Sequence, residues 1–409
     1  MKSELAKGSL ILFITISFFN ILNYLFHFFM GRMLGPSDYS VLAALMSVIY
    51  LLGVPSEAIQ TLISKYSSKY NSKEEPGKIK DLFLRSLKRF SLISIVLFFA
   101  FLFLAIFISE ILKIDYWLLV ITGLFIFYSF LVPIIRGVLQ GTKRFKELGY
   151  NLMGESVIKI ILSVLLVIAG LRVYGAMVGV IMAVVLVFFL SLLYLNKLFL
   201  AERKNADLTG YLSYGFPVLI CITCVVLFYS ADILLAKIIF NPEVAGKYAV
   251  ASMLGKMIFF GTQAIGKAMF PLTSESHEKR KGSSGDFFKS LKIVVFLLIF
   301  SLIIFFFFPE YLVGILFGLA YLDISHVVFI LGLSYSFLAF ANLVLLYLLS
   351  IDETENYDYI ALGIIAVLQV IILYFSNNSV LEFSKSFLYI STTIFLYSIF
   401  LIFRWKRSL

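Results

Sequence analysis

Long apolar stretches alternate with short polar segments along the chain, and about twelve of them reach the roughly 20 residues a helix needs to cross a hydrocarbon layer. They run approximately over 9–30, 40–64, 88–109, 116–139, 148–170, 174–195, 213–238, 247–271, 291–308, 324–349, 358–376 and 386–403. The fifth and seventh are interrupted by ionisable residues. The pattern predicts an all-α integral membrane protein of about twelve transmembrane helices.

The polar segments are unequal in charge. Of the 34 Lys and Arg, 26 fall on the side that holds the N-terminus: Lys2, Lys7 and clusters within 65–89, 136–146, 197–204, 267–292 and 404–407. Six fall on the opposite side: Arg32, Lys113, Arg172, Lys237, Lys247 and Lys385. Basic residues gather in cytoplasmic loops, so the sequence predicts a multi-pass protein of the cell membrane with both termini cytoplasmic. The inner loop Asp352 to Glu355 is acidic, but acids carry little weight in this rule.

The longer inner loops lie near 65–89, 196–212 and 272–290, and the middle one, Asn196 to Asp207, sits almost at the centre of the chain. This divides the chain into six helices in 1–207 and six in 208–409. An internal echo agrees with the division. Gly31-Arg-Met-Leu-Gly-Pro-Ser-Asp-Tyr-Ser40 follows the first helix and Ala236-Lys-Ile-Ile-Phe-Asn-Pro-Glu-Val-Ala-Gly-Lys-Tyr248 follows the seventh. Each holds a basic residue, a Pro-containing acidic turn and a Tyr that opens the next helix. With an even number of helices per half, both halves start on the same side. They are then related as a parallel repeat, two six-helix bundles around a central cavity, as in secondary transporters. The longest outer connection, 309–323, carries apolar Tyr311 to Phe317 and reads as an interfacial segment.

Composition sharpens this picture. The 409 residues are 61% hydrophobic and 14% charged, with a mean hydropathy of +1.00. A soluble domain carries about a quarter charged residues, so a water-soluble enzyme is excluded and no room remains for a soluble domain. The net charge of +10 becomes an orientation signal and does not indicate a nucleic-acid partner. Cys221 and Cys224 lie in an apolar run, and their spacing reads as small core-facing side chains rather than a redox pair. The first apolar run, Ser9 to Met30, is long enough to span and lacks a small-residue cleavage site, so no cleavable signal is expected. The chain has neither a phosphate-binding Gly-x-x-x-x-Gly-Lys-Ser/Thr loop nor a His-Glu-x-x-His helix. Catalysis, ATP-driven pumping and a bound cofactor are therefore not expected.

Ionisable side chains at membrane depth are costly and tend to face a protein interior or a watery cavity. They are His27, Glu57, Glu155, Lys159, Asp232, Lys256 and Lys267. Glu155 and Lys159 are spaced i, i+4 with the acid first, which favours an intrahelical pair. His27 sits on an aromatic face and reads as a packing residue. Arg136 ends the fourth helix and reads equally as a snorkelling anchor or a ligand contact, and Lys267 lies close enough to the inner surface to snorkel. Asp232, Lys256 and Glu57 have no charged partner four residues away, so their partners lie on other helices, in water or in a ligand. A lysine facing a cavity suits a phosphate, and a carboxylate on a neighbouring helix suits Na⁺ or H⁺ coupling.

Arg136-Gly137-Val138-Leu139-Gln140-Gly141-Thr142-Lys143-Arg144-Phe145 resembles the R-G-x-x-Q-G-x-x-[RK]-[FY] segment of polysaccharide flippases in the multidrug/oligosaccharidyl-lipid/polysaccharide exporter (MOP) superfamily. Gly31-Arg32-Met33-Leu34-Gly35-Pro36-Ser37-Asp38-Tyr39 is similar to that family's R-x-L-G-P-x-x-[YF]-G turn, with Ser40 in place of the closing Gly. Phe270-Pro271-Leu272, Gly170 and Val173 to Gly179 add to the resemblance, which covers helices one to eight. It implies two bundles that move a polyprenyl-(pyro)phosphate-linked oligosaccharide across the cytoplasmic membrane by alternating access, for surface polysaccharide biosynthesis. The partners expected are that lipid-linked oligosaccharide, membrane lipid and polysaccharide assembly proteins. A cationic cavity would neutralise the carrier's pyrophosphate. Arg32 and Arg136 match the motifs, and Lys256 and Lys267 join them by depth as substrate-binding candidates. Asp232 and Glu57 are the ion-coupling candidates, with Na⁺ or H⁺ as the ion. A cation-coupled drug or metabolite exporter of the same superfamily is the alternative. A membrane glycan polymerase or ligase fits less well, because such enzymes use a large outer loop with Arg and His, and here the outer segments hold little His beyond His326.

Overall fold

The computed structural model describes residues 2–207, 216–278, 284–351 and 355–408. Most of the acidic loop, 352–354, and parts of the loops near 196–212 and 272–290 lie outside the described residues. Among the described residues every regular element is helical: α1 (Lys2–Leu52), α2 (Val54–Asn71), α3 (Pro76–Leu112), α4 (Tyr116–Gly123), α5 (Phe125–Gly141), α6 (Phe145–Leu166), α7 (Arg172–Tyr194), α8 (Asn196–Leu200), α9 (Phe216–Ile239), α10 (Pro242–Glu278), α11 (Ser284–Phe307), α12 (Pro309–Leu316), α13 (Ser325–Ser350), α14 (Asn356–Phe375) and α15 (Val380–Ser408).

These helices contain ten continuous apolar runs long enough to span a membrane. Two of the runs, of 58 and 50 residues, are too long for one crossing, and each breaks at a glycine with positive φ. Gly35 (φ 71°) splits α1, and Gly170 (φ 91°) lies in the π-turn between α6 and α7. The backbone at both positions is a conformation that an L side chain resists. The chain reverses at each. His27 Nδ1 lies 3.1 Å from Tyr39 Oη, whereas twelve residues of straight helix would separate them by about 18 Å. Past Gly170, Ser163 Oγ donates to the carbonyl of Ala176 at 3.0 Å, and Gly179 rests on the Ser163 backbone. Counted with these reversals, the spans among the described residues number twelve. The segment 309–323 holds the short helix α12 and a 3₁₀ stretch over Leu319–Ile324.

Helix ends follow ordinary capping chemistry. Asp115 accepts from the Trp117 amide at 2.8 Å, Pro76 and Pro309 open their helices, and Glu355 with Asp358 forms a capping box, which together satisfy otherwise orphaned amides. The outward face of α3 shows why the fold needs lipid. Leu92, Val96, Phe99 and Phe103, on one stripe, are each more than 60% exposed, an apolar surface a soluble monomer would not present.

By packing, the chain forms two units: 1–26 with 45–223, and 27–44 with 224–409. The stretch 27–44, which chain order places in 1–207, is therefore held in the second unit. The reason is local. Arg32 donates to the carbonyls of Ile315 and Leu316, Tyr321 Oη donates to the carbonyl of Gly31 at 2.8 Å, and Gly246 lies directly on the Pro36 backbone. In the first unit α2 packs on α5 and α6 on α7. In the second, α10, α13 and α15 form the centre, with Phe287 and Tyr347 stacked at 4.2 Å.

Candidate functional site

The second unit contains a buried ionic cluster. Asp232 on α9 and Lys256 on α10 are both inaccessible, and Lys256 Nζ lies 3.6 Å from Asp232 Oδ1. Chain direction explains the meeting. From the turn joining α9 and α10, Asp232 is about 10 Å down one helix and Lys256 about 21 Å down the other. Side chains tilt toward their helix N-terminus, so Asp232 leans away from the turn and the long lysine leans back toward it. The gap closes to ion-pair distance.

Hydroxyls complete the arrangement. Asp232 Oδ2 accepts from Ser252 Oγ at 2.6 Å, Tyr335 Oη at 2.8 Å and Tyr248 Oη at 3.2 Å. Ser252 and Tyr335 also share a hydrogen bond at 2.9 Å, and Lys256 Nζ sits 5.9 Å from the Tyr335 ring centroid. Tyr248, Ser252 and Lys256 follow one another at four-residue steps along one face of α10. Tyr335 reaches them from α13 because Gly255 leaves room: a Cβ there would lie 2.4 Å from the Tyr335 ring. Three hydroxyl donors and an ammonium group offset the cost of burying this carboxylate. The cluster is also a place where a proton or cation could alter the local charge balance.

The first unit holds a second buried network. Arg136 Nη2 donates to Glu155 Oε2 at 2.5 Å, Nε to Asn151 Oδ1 at 2.6 Å and Nη1 to Tyr128 Oη at 2.8 Å. Lys159 turns instead to Asn23 and lies 4.8 Å from the Phe26 ring centroid. The expected intrahelical contact between Glu155 and Lys159 is thus replaced by an interhelical one, because the planar guanidinium satisfies the carboxylate and two neighbours at once. Asn151, Glu155 and Lys159 share one face of α6.

The motif residues have local work. Gly137 and Gly141 lie where a Cβ would meet α2 at 2.6 Å from Ile63 and 2.5 Å from the Ser64 carbonyl, a small-residue contact that lets two helices approach closely. Gln140 accepts from Gln60 across the same interface at 2.9 Å. Arg32 caps the C-terminus of α12, favourable at a helix end. Of the six site residues expected from sequence, the structure brings together Asp232 and Lys256. Arg136 sits in the other unit's network, Arg32 at the α12 end, and Glu57 and Lys267 are exposed side chains on α2 and α10. Cys224 is buried, and the side chain of Cys221 lies outside the described residues. Sequence reasoning did not single out Tyr128, Asn151, Tyr248, Ser252 or Tyr335. The four-residue steps ending at Lys256 and centred on Glu155 were the available signal.

The family model described as polysaccharide biosynthesis protein matches residues 5–277, more than half of the chain. The chain belongs to this family. No curated protein matches it. Among solved structures, this family member resembles an inward-facing multidrug resistance MATE family transporter of the MOP superfamily, with a TM-score of 0.76 and 12% identity over 95% of this chain and 96% of that one. It also resembles the lipid II flippase MurJ in an inward closed conformation, with a TM-score of 0.73 and 16% identity over 96% and 87%. A MATE structure in complex with MaL6 follows at 0.67 and 13%, over 98% and 97%. At these identities the likeness is one of fold. This polysaccharide biosynthesis family member thus has the multi-pass fold of MOP transporters and flippases.

Proposed function

We propose that the protein is a flippase that moves a polyprenyl-(pyro)phosphate-linked oligosaccharide from the inner to the outer leaflet of the cytoplasmic membrane for surface polysaccharide assembly. Family membership over residues 5–277 is the observation that carries this reading, and the fold shared with a lipid flippase supports it. In this reading two six-helix bundles act by alternating access, with both termini cytoplasmic. Arg32, Arg136, Lys256 and Lys267 supply positive charge for the substrate phosphates, and Asp232 and Glu57 couple transport to Na⁺ or H⁺. The buried cluster at Asp232 supports a coupling role, since protonating or neutralising that carboxylate would weaken one ion pair and three hydrogen bonds together.

A second reading, a cation-coupled drug or metabolite exporter, is favoured by the fold likeness to the multidrug transporter. Reconstitution separates the two. In proteoliposomes carrying an NBD-labelled polyprenyl-diphosphate-linked N-acetylglucosamine, a flippase exposes the probe to dithionite quenching from the opposite leaflet, and Asp232→Ala or Lys256→Ala slows this while the protein remains in the membrane. Efflux of ethidium without probe translocation would reverse the assignment to the exporter. Unchanged translocation by both variants would remove Asp232 and Lys256 from the site.

A further inference from the structure

The first part of the chain between α7 and α9 is held in place. After α8 the backbone at 201–207 is irregular, so its polar groups need partners outside a helix. They find them along the N-terminal end of α3. Asp81 is fully buried. It accepts from Arg203 Nε at 2.7 Å and from the Ala206 amide at 2.9 Å, and it pairs with Arg85 at 2.9 Å. Lys80 Nζ donates to the carbonyls of Phe199 and Ala201 at 2.6 and 2.9 Å. The Lys204 amide donates to the Gly77 carbonyl at 3.1 Å, Arg85 donates to Asn205 at 2.9 Å, and Tyr70 Oη on α2 donates to the Asp207 carbonyl at 2.7 Å. Gly77 is required by proximity, since a Cβ there would lie 2.1 Å from the Glu202 carbonyl. Beneath the segment, buried Phe83 meets Phe199 edge-on at 5.7 Å.

A buried carboxylate satisfied by an arginine and an amide of one short irregular segment is specific to that segment, because without it Asp81 would lose most of its partners. We propose that residues 199–207 are a fixed strap on α3, with Asp81 as the group that holds it. The covalent link toward α9 then departs from α3 and α2, not from the end of α7. Undocking the strap would add nine residues, about 30 Å of extended chain, to the link. Docked, the strap keeps that slack out of the connection and directs any pull along the link into α3. Asp81 and Arg203 are positioning residues for alternating access. This rests on the transport reading above, whereas the docking of the strap does not.

Trypsin reports docking directly, because Arg203 and Lys204 lie within the strap. In the purified full-length protein, Asp81→Asn and, as a milder variant, Arg203→Ala with cleavage followed at Lys204 raise the cleavage rate roughly tenfold or more, as local opening becomes populated. Both slow translocation of the NBD-labelled polyprenyl-diphosphate-linked probe. In a Cys221→Ser, Cys224→Ser background, closing a Lys80→Cys, Ala201→Cys pair with a short bis-maleimide leaves translocation unchanged and restores it in Asp81→Asn. Unchanged cleavage in both variants would overturn the strap. Faster cleavage with normal translocation would overturn its role in transmission, and loss of translocation on cross-linking would show a moving latch in place of a fixed anchor. If the unmodified protein moves no probe, the flippase reading fails while the cleavage result still decides the strap.

Discussion

Replacing Asp232 and Lys256 singly and together measures whether the buried cluster is an energetic unit. At 3.6 Å the bare attraction is about 4.6 kcal/mol for an effective dielectric constant of about 20. Breaking such a pair from one side typically costs about 3–5 kcal/mol. The structure predicts an asymmetry within that range. In Lys256→Met the carboxylate keeps its three hydroxyl donors, so the expected loss is about 3 kcal/mol. Asp232→Asn removes the ion pair and also turns three charge-assisted hydrogen bonds into neutral ones, raising the expected loss to about 5 kcal/mol. With Asp232 already neutral, removing the ammonium group costs little more. The double variant therefore sits near about 5 kcal/mol, which corresponds to a coupling energy of about 3 kcal/mol. Unfolding of the purified protein by SDS titration in mixed micelles gives the four stabilities on one scale. A coupling energy below about 1 kcal/mol would refute the reasoning, since that is the scale of a solvent-exposed pair.

Other substitutions probe the remaining features. Gly141→Ala places a methyl group against the α2 backbone and is expected to cost about 1–3 kcal/mol, read in the same titration, whereas the open Gly154 accepts Ala with little effect. Glu155→Gln leaves the buried Arg136 without its carboxylate and should cost about 3 kcal/mol or more, while Lys159→Met, whose ammonium group bonds Asn23 and not the Arg136 pair, costs less. Arg404→Ala strips two bonds from buried Asp358 and lowers stability by about 1.5–3 kcal/mol, with Tyr397 still donating to the carboxylate. A smaller loss for Arg404→Ala than for exposed Lys289→Ala would contradict the burial argument.

Membrane location, the all-helical class, the number of spans and the two motif-bearing turns were determined by the sequence itself. Each rests on a local property: twenty apolar residues in a row or a glycine-proline pair that cannot continue a helix. Gly35 and Gly170 illustrate this, for their positive φ values fall where the polarity pattern places chain reversals. Partner choice among charges was not local. Spacing along α6 pairs Glu155 with Lys159, yet Arg136 from α5 takes the carboxylate. No i, i+4 rule predicts that Asp232 meets Lys256 together with hydroxyls from α10 and α13. Residues 27–44 precede the chain midpoint but pack in the second unit, because the carbonyls at the end of α12 and the Gly246 backbone are what they fit. The arginines and glycines of the turn and flippase motifs were visible as a pattern. Only the packed structure showed that Gly137 and Gly141 admit the α2 backbone and that the arginines satisfy carbonyls or a buried acid. A periodicity reports which face of a helix is apolar, whereas the identity of a charge's partner depends on which helices are neighbours and how far each side chain reaches.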